Sequence, residues 1–136
     1  MGLDEICVGF AARFATIQGL RAHAEPPPVV NPPAIVIGDP MNGTYDMAMA
    51  NGGVVHRMTA ILLLTQAGGK VRAVEAVKAY IAKSGNLSIR AAVQGDVTLG
   101  GSASTARVVG YRDVGIIEYA GTAYMGCIFD LEAWEA

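Results

Sequence analysis

Leu3, Ile6, Cys7, Phe10, Phe14 and Ile17 recur at spacings of three and four, which gathers them on one face of a helix. Gly19 stands where a left-handed residue would close it. A short strand is predicted over Leu20–Ala24. The next segments, "EPPPVVNPP" and the apolar "AIVIGDP", hold all six prolines of the chain between Pro26 and Pro40. Proline fixes φ and offers no amide donor, so this stretch reads as an extended connection with few hydrogen bonds.

"MNGTYDMAMANGG" is poor in β-branched residues, whereas the "VVHRMTAILLLT" that follows is strongly β-forming. The pair reads as a long hairpin or a mobile excursion, with Val54–Thr65 as the return strand. Gly68 and Gly69 break the chain, and Val71, Val74, Val77 (or Lys78) and Ile81 then form a helical stripe over Lys70–Ala82, with Gly85 as the cap. Ser88 is placed to N-cap a short helix, "IRAAVQ", that Gly95 ends. After "TLGGSAS" (98–104), β-branched and aromatic residues punctuated by glycines at 110, 115, 121 and 126 predict two or three antiparallel strands with a hairpin tip near Tyr119–Gly121. The order helix, strands, helix, short helix, strands predicts an α+β fold: a mainly antiparallel sheet with the N-terminal and central helices packed on one face. A chain of 136 residues fits one such domain.

Composition adds an assembly argument. Apolar residues make up 52% of the chain and charged residues only 16%, against roughly a quarter charged in typical soluble domains. Part of this apolar surface is therefore expected to be covered by other protein chains. A membrane does not supply the cover, since the longest uncharged apolar run, Met58–Leu64, falls far short of the roughly 20 residues a spanning helix needs. Asp4, Glu5 and Arg13 also argue against a signal peptide, so a cytoplasmic chain is expected. The net charge is −2 and the ten basic residues are scattered, giving no stripe that would bind nucleic acid tightly. Cys7 and Cys127, with no C-x-x-C, read as buried reduced thiols.

Three features approach known catalytic or ligand-binding motifs without completing them. "LTQAGGKV" sits between strand and helix as a P-loop would, but Leu64 and Val71 replace the first glycine and the metal-ligating hydroxyl, leaving Lys70 in a plain turn. "GGSAS" is one residue from a nucleophile elbow around Ser102, with Ser104 where the last glycine belongs. An elbow needs a strand leading in and a helix leading out, and here the order is reversed. His23 and His56 lack the spacing of metal ligands. No catalytic residue, metal or cofactor is expected.

Protein contacts are better supported. Met41, Met47 and Met49 cluster in the glycine-containing excursion beside Tyr45, and methionine suits surfaces that adapt to a partner. A loop folded back on its own sheet explains them equally well. Asp130 and Glu132, two apart on a strand, share a face that is either solvated or a charged lining within an assembly. With Trp134 they stand near a sheet edge open to subunit contact.

From Ala73 onward, Ser84-Gly85 is followed by Ser88, Ile89 and Ala92, by Leu99–Gly101, by Val109 and Gly115, and by Gly121, Tyr124 and a strand closing on Glu132. In this order and spacing the sequence resembles the tail terminator proteins of long-tailed phages that infect actinobacteria. The N-terminal helix and the "NPPA" of Asn31–Ala34 match as well, whereas Met41–Gly53 follows no fixed family pattern. The resemblance implies a small α+β subunit that closes into a ring with itself, usually a hexamer, on the tail tube. The ring would stop addition of the major tail tube protein and present a surface to a head–tail connector or stopper. Phage DNA would pass through its lumen without specific binding. Location in the virion, after assembly in the host cytoplasm, follows from the same resemblance. Another connector or stopper protein of the neck is the nearest alternative, and a small hydrolase or nucleotide-binding enzyme a more distant one.

Overall fold

The apolar stripe near the N-terminus forms helix α1 (Leu3–Phe14) in a computed structural model that describes residues 2–45, 53–65 and 70–135. Ile6, Phe10 and Phe14 are buried on one face, and the Phe10 and Phe14 rings stack at 6.1 Å. Asp4 and Glu5 lie in the first turn and Arg13 in the last, each on the side that the helix dipole favours. The helix stops earlier than Gly19. Hydrogen-bonded turns (Thr16 to Arg13, Ile17 to Phe14, Leu20 to Ile17) carry the chain from Ala15 into strand β1 (Arg21–His23), and Ile17 is buried from a turn rather than from the helix.

The proline-rich segment divides differently from its sequence reading. Residues 24–33 are the extended connection, but "AIVIGDP" belongs to a strand, β2 (Ala34–Tyr45), which pairs in parallel with β1 and antiparallel with β3 (Val54–Leu64). Pro40 is accommodated because the β2–β3 register shifts on both sides of it. Of the stretch that follows, Met41–Tyr45 continues β2, with Tyr45 opposite Val54 of β3, and residues 46–52, where the excursion is predicted, lie outside the described residues.

Helices α2 (Lys70–Ile81) and α3 (Ile89–Gln94) follow. Ser88 caps α3 as anticipated, its hydroxyl oxygen accepting from the Ala91 amide at 3.1 Å, and Gly95 ends the helix. The chain closes with β4 (Thr105–Tyr119) and β5 (Thr122–Glu135), two long antiparallel strands joined at Ala120-Gly121, both with positive φ as a two-residue hairpin turn requires.

Strand order in the five-stranded sheet is β1-β2-β3-β5-β4, antiparallel throughout except for β1–β2. Alternate residues of β3 (Met58, Ala60, Leu62, Leu64) and of β5 (Met125, Cys127, Phe129, Leu131, Ala133) face the helices and join α1, α2 and α3 in one core. On the other face Val30, from the proline-rich connection, packs on Ala34, Val36 and Leu63 to make a small second core. The Tyr119 hydroxyl donates to the Pro27 carbonyl and fastens that connection to the far hairpin. The fold is thus α+β with its helices on one face of the sheet.

Candidate interaction surfaces

Asp130, Glu132 and Trp134 were expected near an edge, but β5 lies inside the sheet, hydrogen-bonded to β3 on one side and β4 on the other. Their side chains point to the helix-free face, where Glu132 stands opposite Arg57 of β3 and Arg107 of β4. Its carboxylate accepts from Arg57 Nε at 3.3 Å and from Arg107 Nε at 3.2 Å, and the residue as a whole is only 8% exposed. Arg57 also donates to Asn42 Oδ1 and Thr44 Oγ1, which ties β2 into the network. The Arg107 guanidinium lies 5.9 Å from the Trp134 ring centroid, within cation–π range. Arg112 bridges Asp130 at 3.3 Å and Asp113 at 2.8 Å. The hydrogen bond and charge of Asp130, and less so of Asp113, raise the Arg112 pKa above its ordinary value.

These ion pairs set the cross-strand register of a polar face. Replacing Glu132 by alanine strands two guanidinium groups at a nearly buried position, and we expect a loss of about 1–3 kcal/mol in urea unfolding, below the full cost for a buried pair because both arginines reach solvent. Raising the salt concentration narrows the difference from wild type.

The edge itself belongs to β4. Its outer side has no strand partner among the described residues, and Val109, Tyr111, Val114 and Ile116 are 42 to 56% exposed along it. Two register shifts, at Val108/Gly110 and Arg112/Gly115, bend the strand. Beside it lies a groove of 210 Å³ lined by Ile81, Arg90, Val108, Tyr111 and Phe129. A signal for this surface was present in the sequence: Val108-Val109 and Ile116-Ile117 are apolar doublets, and successive strand residues point to opposite faces. Val108 packs on the helix-side core and Ile117 on the small core of the other face, while the other member of each doublet, Val109 and Ile116, is exposed.

At the opposite end of the sheet, β1 covers only Ala34–Val36 of β2, so the outer side of Met41–Tyr45 is also open among the described residues. Met41 is 56% and Tyr45 78% exposed there. Met47 and Met49 lie outside the described residues. Two clefts follow this edge, one of 380 Å³ between α1 and β2 that includes Asp4, Cys7, Val8 and Glu25, and one of 270 Å³ that includes Met41, Tyr45 and His56; both are lined by Leu3 and Pro40. His56 Nε2 lies 2.7 Å from Glu135 Oε2 at the end of the second.

Both thiols are free, Cys127 fully buried and Cys7 partly so. Burial pushes Cys127 to about 12, and burial with the charge of Asp4 also raises Cys7, so neither is an activated nucleophile at neutral pH.

The "TLGGSAS" loop occupies its own amides. Thr98 and Gly100 donate to the two Asp96 carboxylate oxygens, Leu99 to the Asp96 carbonyl, Gly101 and Ala103 to the Thr98 carbonyl, Ser102 to Leu99, and Ser104 to Trp134. A phosphate cradle needs such donors free and convergent, and here each is spent inside the fold. Leu99, Gly100 and Gly101 all have positive φ, a run that glycine adopts without strain. Leu99 is buried against α1 at Gly9, where a Cβ would come within 2.7 Å of the Leu99 side chain. The segment is a structural plug between α3 and the terminal hairpin.

The Thr98 hydroxyl first, then the Gly100 and Thr98 amides, lower the Asp96 pKa. A depressed carboxylate contributes stability above its unfolded value and loses it as pH falls through the folded one. Amide exchange at Gly100 is therefore expected to be slow at pH 5 and to rise, relative to intrinsic rates, as pH falls below about 4. Asp96→Asn removes that acid dependence.

Among the described residues no cluster of three or more His, Cys, Asp or Glu side chains forms a metal site, and no helix is long and apolar enough to cross a membrane. His23 Nε2 is buried without a hydrogen-bond partner among the described residues, and His56 pairs with Glu135. The "LTQAGGKV" turn lies partly outside the described residues. No family model matches the chain, and comparison with curated proteins finds no significant match.

Proposed function

We propose that this chain is a tail terminator of a long-tailed phage, a subunit that closes into a ring, most simply a hexamer, on the end of the tail tube. In that role it stops addition of the major tail tube protein and offers the neck connector a surface to join. The observation that carries the proposal is the long β4 edge with four large apolar side chains exposed, because a free apolar edge is a template for another chain. Clefts run along both open edges of the sheet, beside β4 and between β2 and α1, which suits a protein that works through contact surfaces. A net charge of −2 per subunit also suits a lumen through which DNA slides without adhering. Virion location follows from the same role.

Electron microscopy of the purified protein mixed with tail tubes tests this directly. The expected image is a closed ring on one end of each tube, with tube elongation blocked. A chain that ignores tubes and binds portal-proximal neck proteins instead would be a connector or stopper. Indifference to both would overturn the assembly role.

A further inference from the structure

We infer that copies of this chain join head to tail by pairing β4 of one subunit with the Met41–Tyr45 edge of β2 in the next, so that β4 side chains settle over the groove between β2 and α1. The inference rests on the ring reading for closure and on the geometry of the sheet for its faces.

Both rows are open among the described residues: β4 lacks an outer neighbour, and β1 leaves the distal half of β2 uncovered. Their polarity also fits. β2 is antiparallel to β3, β3 to β5 and β5 to β4, so β4 runs opposite to β2. A second copy set beside the first in the same orientation therefore brings its β2 antiparallel to β4 and keeps all helices on one side of a continuous sheet. Adjacent strands rotate by roughly 20–25°, so each added copy turns relative to the last, as a closing heterologous contact requires. A two-fold β4–β4 contact would leave the β2 edge bare and stop at a dimer.

Side chains match along the two edges. Val109, Tyr111, Val114 and Ile116 project from β4, while Val8, Met41 and Tyr45 are exposed around the β2 groove. The groove carries Asp4 and Glu25, which make no ion pair with another described residue. Arg90 stands beside β4 and donates to the Lys83 carbonyl rather than to a carboxylate. An acidic groove thus faces a strand bordered by a cation that has no carboxylate partner among the described residues. The occupant these features fit is a second copy of this chain, held by main-chain pairing with alternate side chains seated in the clefts.

Two variants test it, Tyr111→Lys with Ile116→Lys on β4, and Met41→Lys with Tyr45→Lys on β2. All four positions are exposed, so circular dichroism melts should match wild type. Sedimentation of wild type is expected to show concentration-dependent oligomers, and each variant to associate roughly tenfold or more weakly. An equimolar mixture of the variants should form heterodimers and nothing larger, because each retains the one face the other lacks. Heterodimers missing from the mixture, a β2 variant that assembles like wild type, or wild type monomeric at millimolar concentration would each overturn the pairing. Tube-end decoration separates the two ideas. Rings of both variants on tubes would overturn this interface and leave the terminator reading standing, whereas wild type that pairs as described but ignores tubes would uphold the interface and remove that reading.

Discussion

Replacing Gly126 with alanine should unfold the domain or cost about 3 kcal/mol or more in urea unfolding, the upper end for forcing atoms into a packed interior. Gly126 sits in the middle of β5, opposite Leu63 of β3 and Gly115 of β4. A Cβ built there overlaps the Leu62 carbonyl oxygen, with the Leu62 carbonyl carbon at 2.9 Å and Ile117 Cδ1 at 3.4 Å. The first two are backbone atoms of an interior strand and cannot rotate aside. Relief requires β3 and β5 to part where Leu62, Leu63 and Cys127 are buried, breaking ladder hydrogen bonds and opening the core together. Gly110→Ala on β4 is the control, since nothing lies within 4 Å of its Cβ position, and its midpoint should stay within about 1 kcal/mol of wild type.

The sequence contained local signals of this kind, but not their partners. Glycine at 126 was visible as punctuation among β-formers, yet its reason is a carbonyl 64 residues away in the chain. The cap of α3 was fully legible because Ser88, Ala91 and Gly95 are near neighbours, and capping is settled by local geometry. The first part of β2, Ala34–Pro40, reads as a connection because the segment continues a proline-rich run in which φ is fixed and amide donors are missing. It is a strand because both its faces are covered: Ile35 and Ile37 meet the helices while Ala34 and Val36 meet the second core, so "AIVI" shows no alternation.

Strand order was the least legible feature and the one that matters most for the interaction surfaces. Chain order makes β5 the natural terminal edge, so Asp130, Glu132 and Trp134 were expected there. The return of β5 between β3 and β4 depends on pairings at long sequence separation, which no local pattern encodes. It also explains how two acidic residues occupy an interior strand: Arg57, Arg107 and Arg112 come from both neighbours and from opposite halves of the chain. Met41 and Tyr45, by contrast, are exposed in the structure.

Phe10→Ala is the second change with a large expected effect, about 3–5 kcal/mol, from lost burial and the cavity it leaves. Phe10 is completely buried, stacks on Phe14 and anchors α1 to the helix-facing core. The same helix is held on its other flank by the Leu99 contact at Gly9 and by Arg13 Nε donating to the Ala92 carbonyl at 2.8 Å. Those contacts fix its orientation but bury no comparable apolar volume, so they should not compensate. Thermal unfolding should show one lowered transition, with Phe10→Leu recovering most of the loss because it refills the space. Val8 lies two residues earlier on the exposed side of α1, lining the cleft along β2. Val8→Ala should therefore melt within about 0.5 kcal/mol of wild type, as surface substitutions do, while weakening self-association. If α1 served only the core, Val8→Ala, at an exposed position, would leave both stability and assembly unchanged. The expected split, with Phe10 governing stability and Val8 governing association, identifies the helix as one wall of a docking groove.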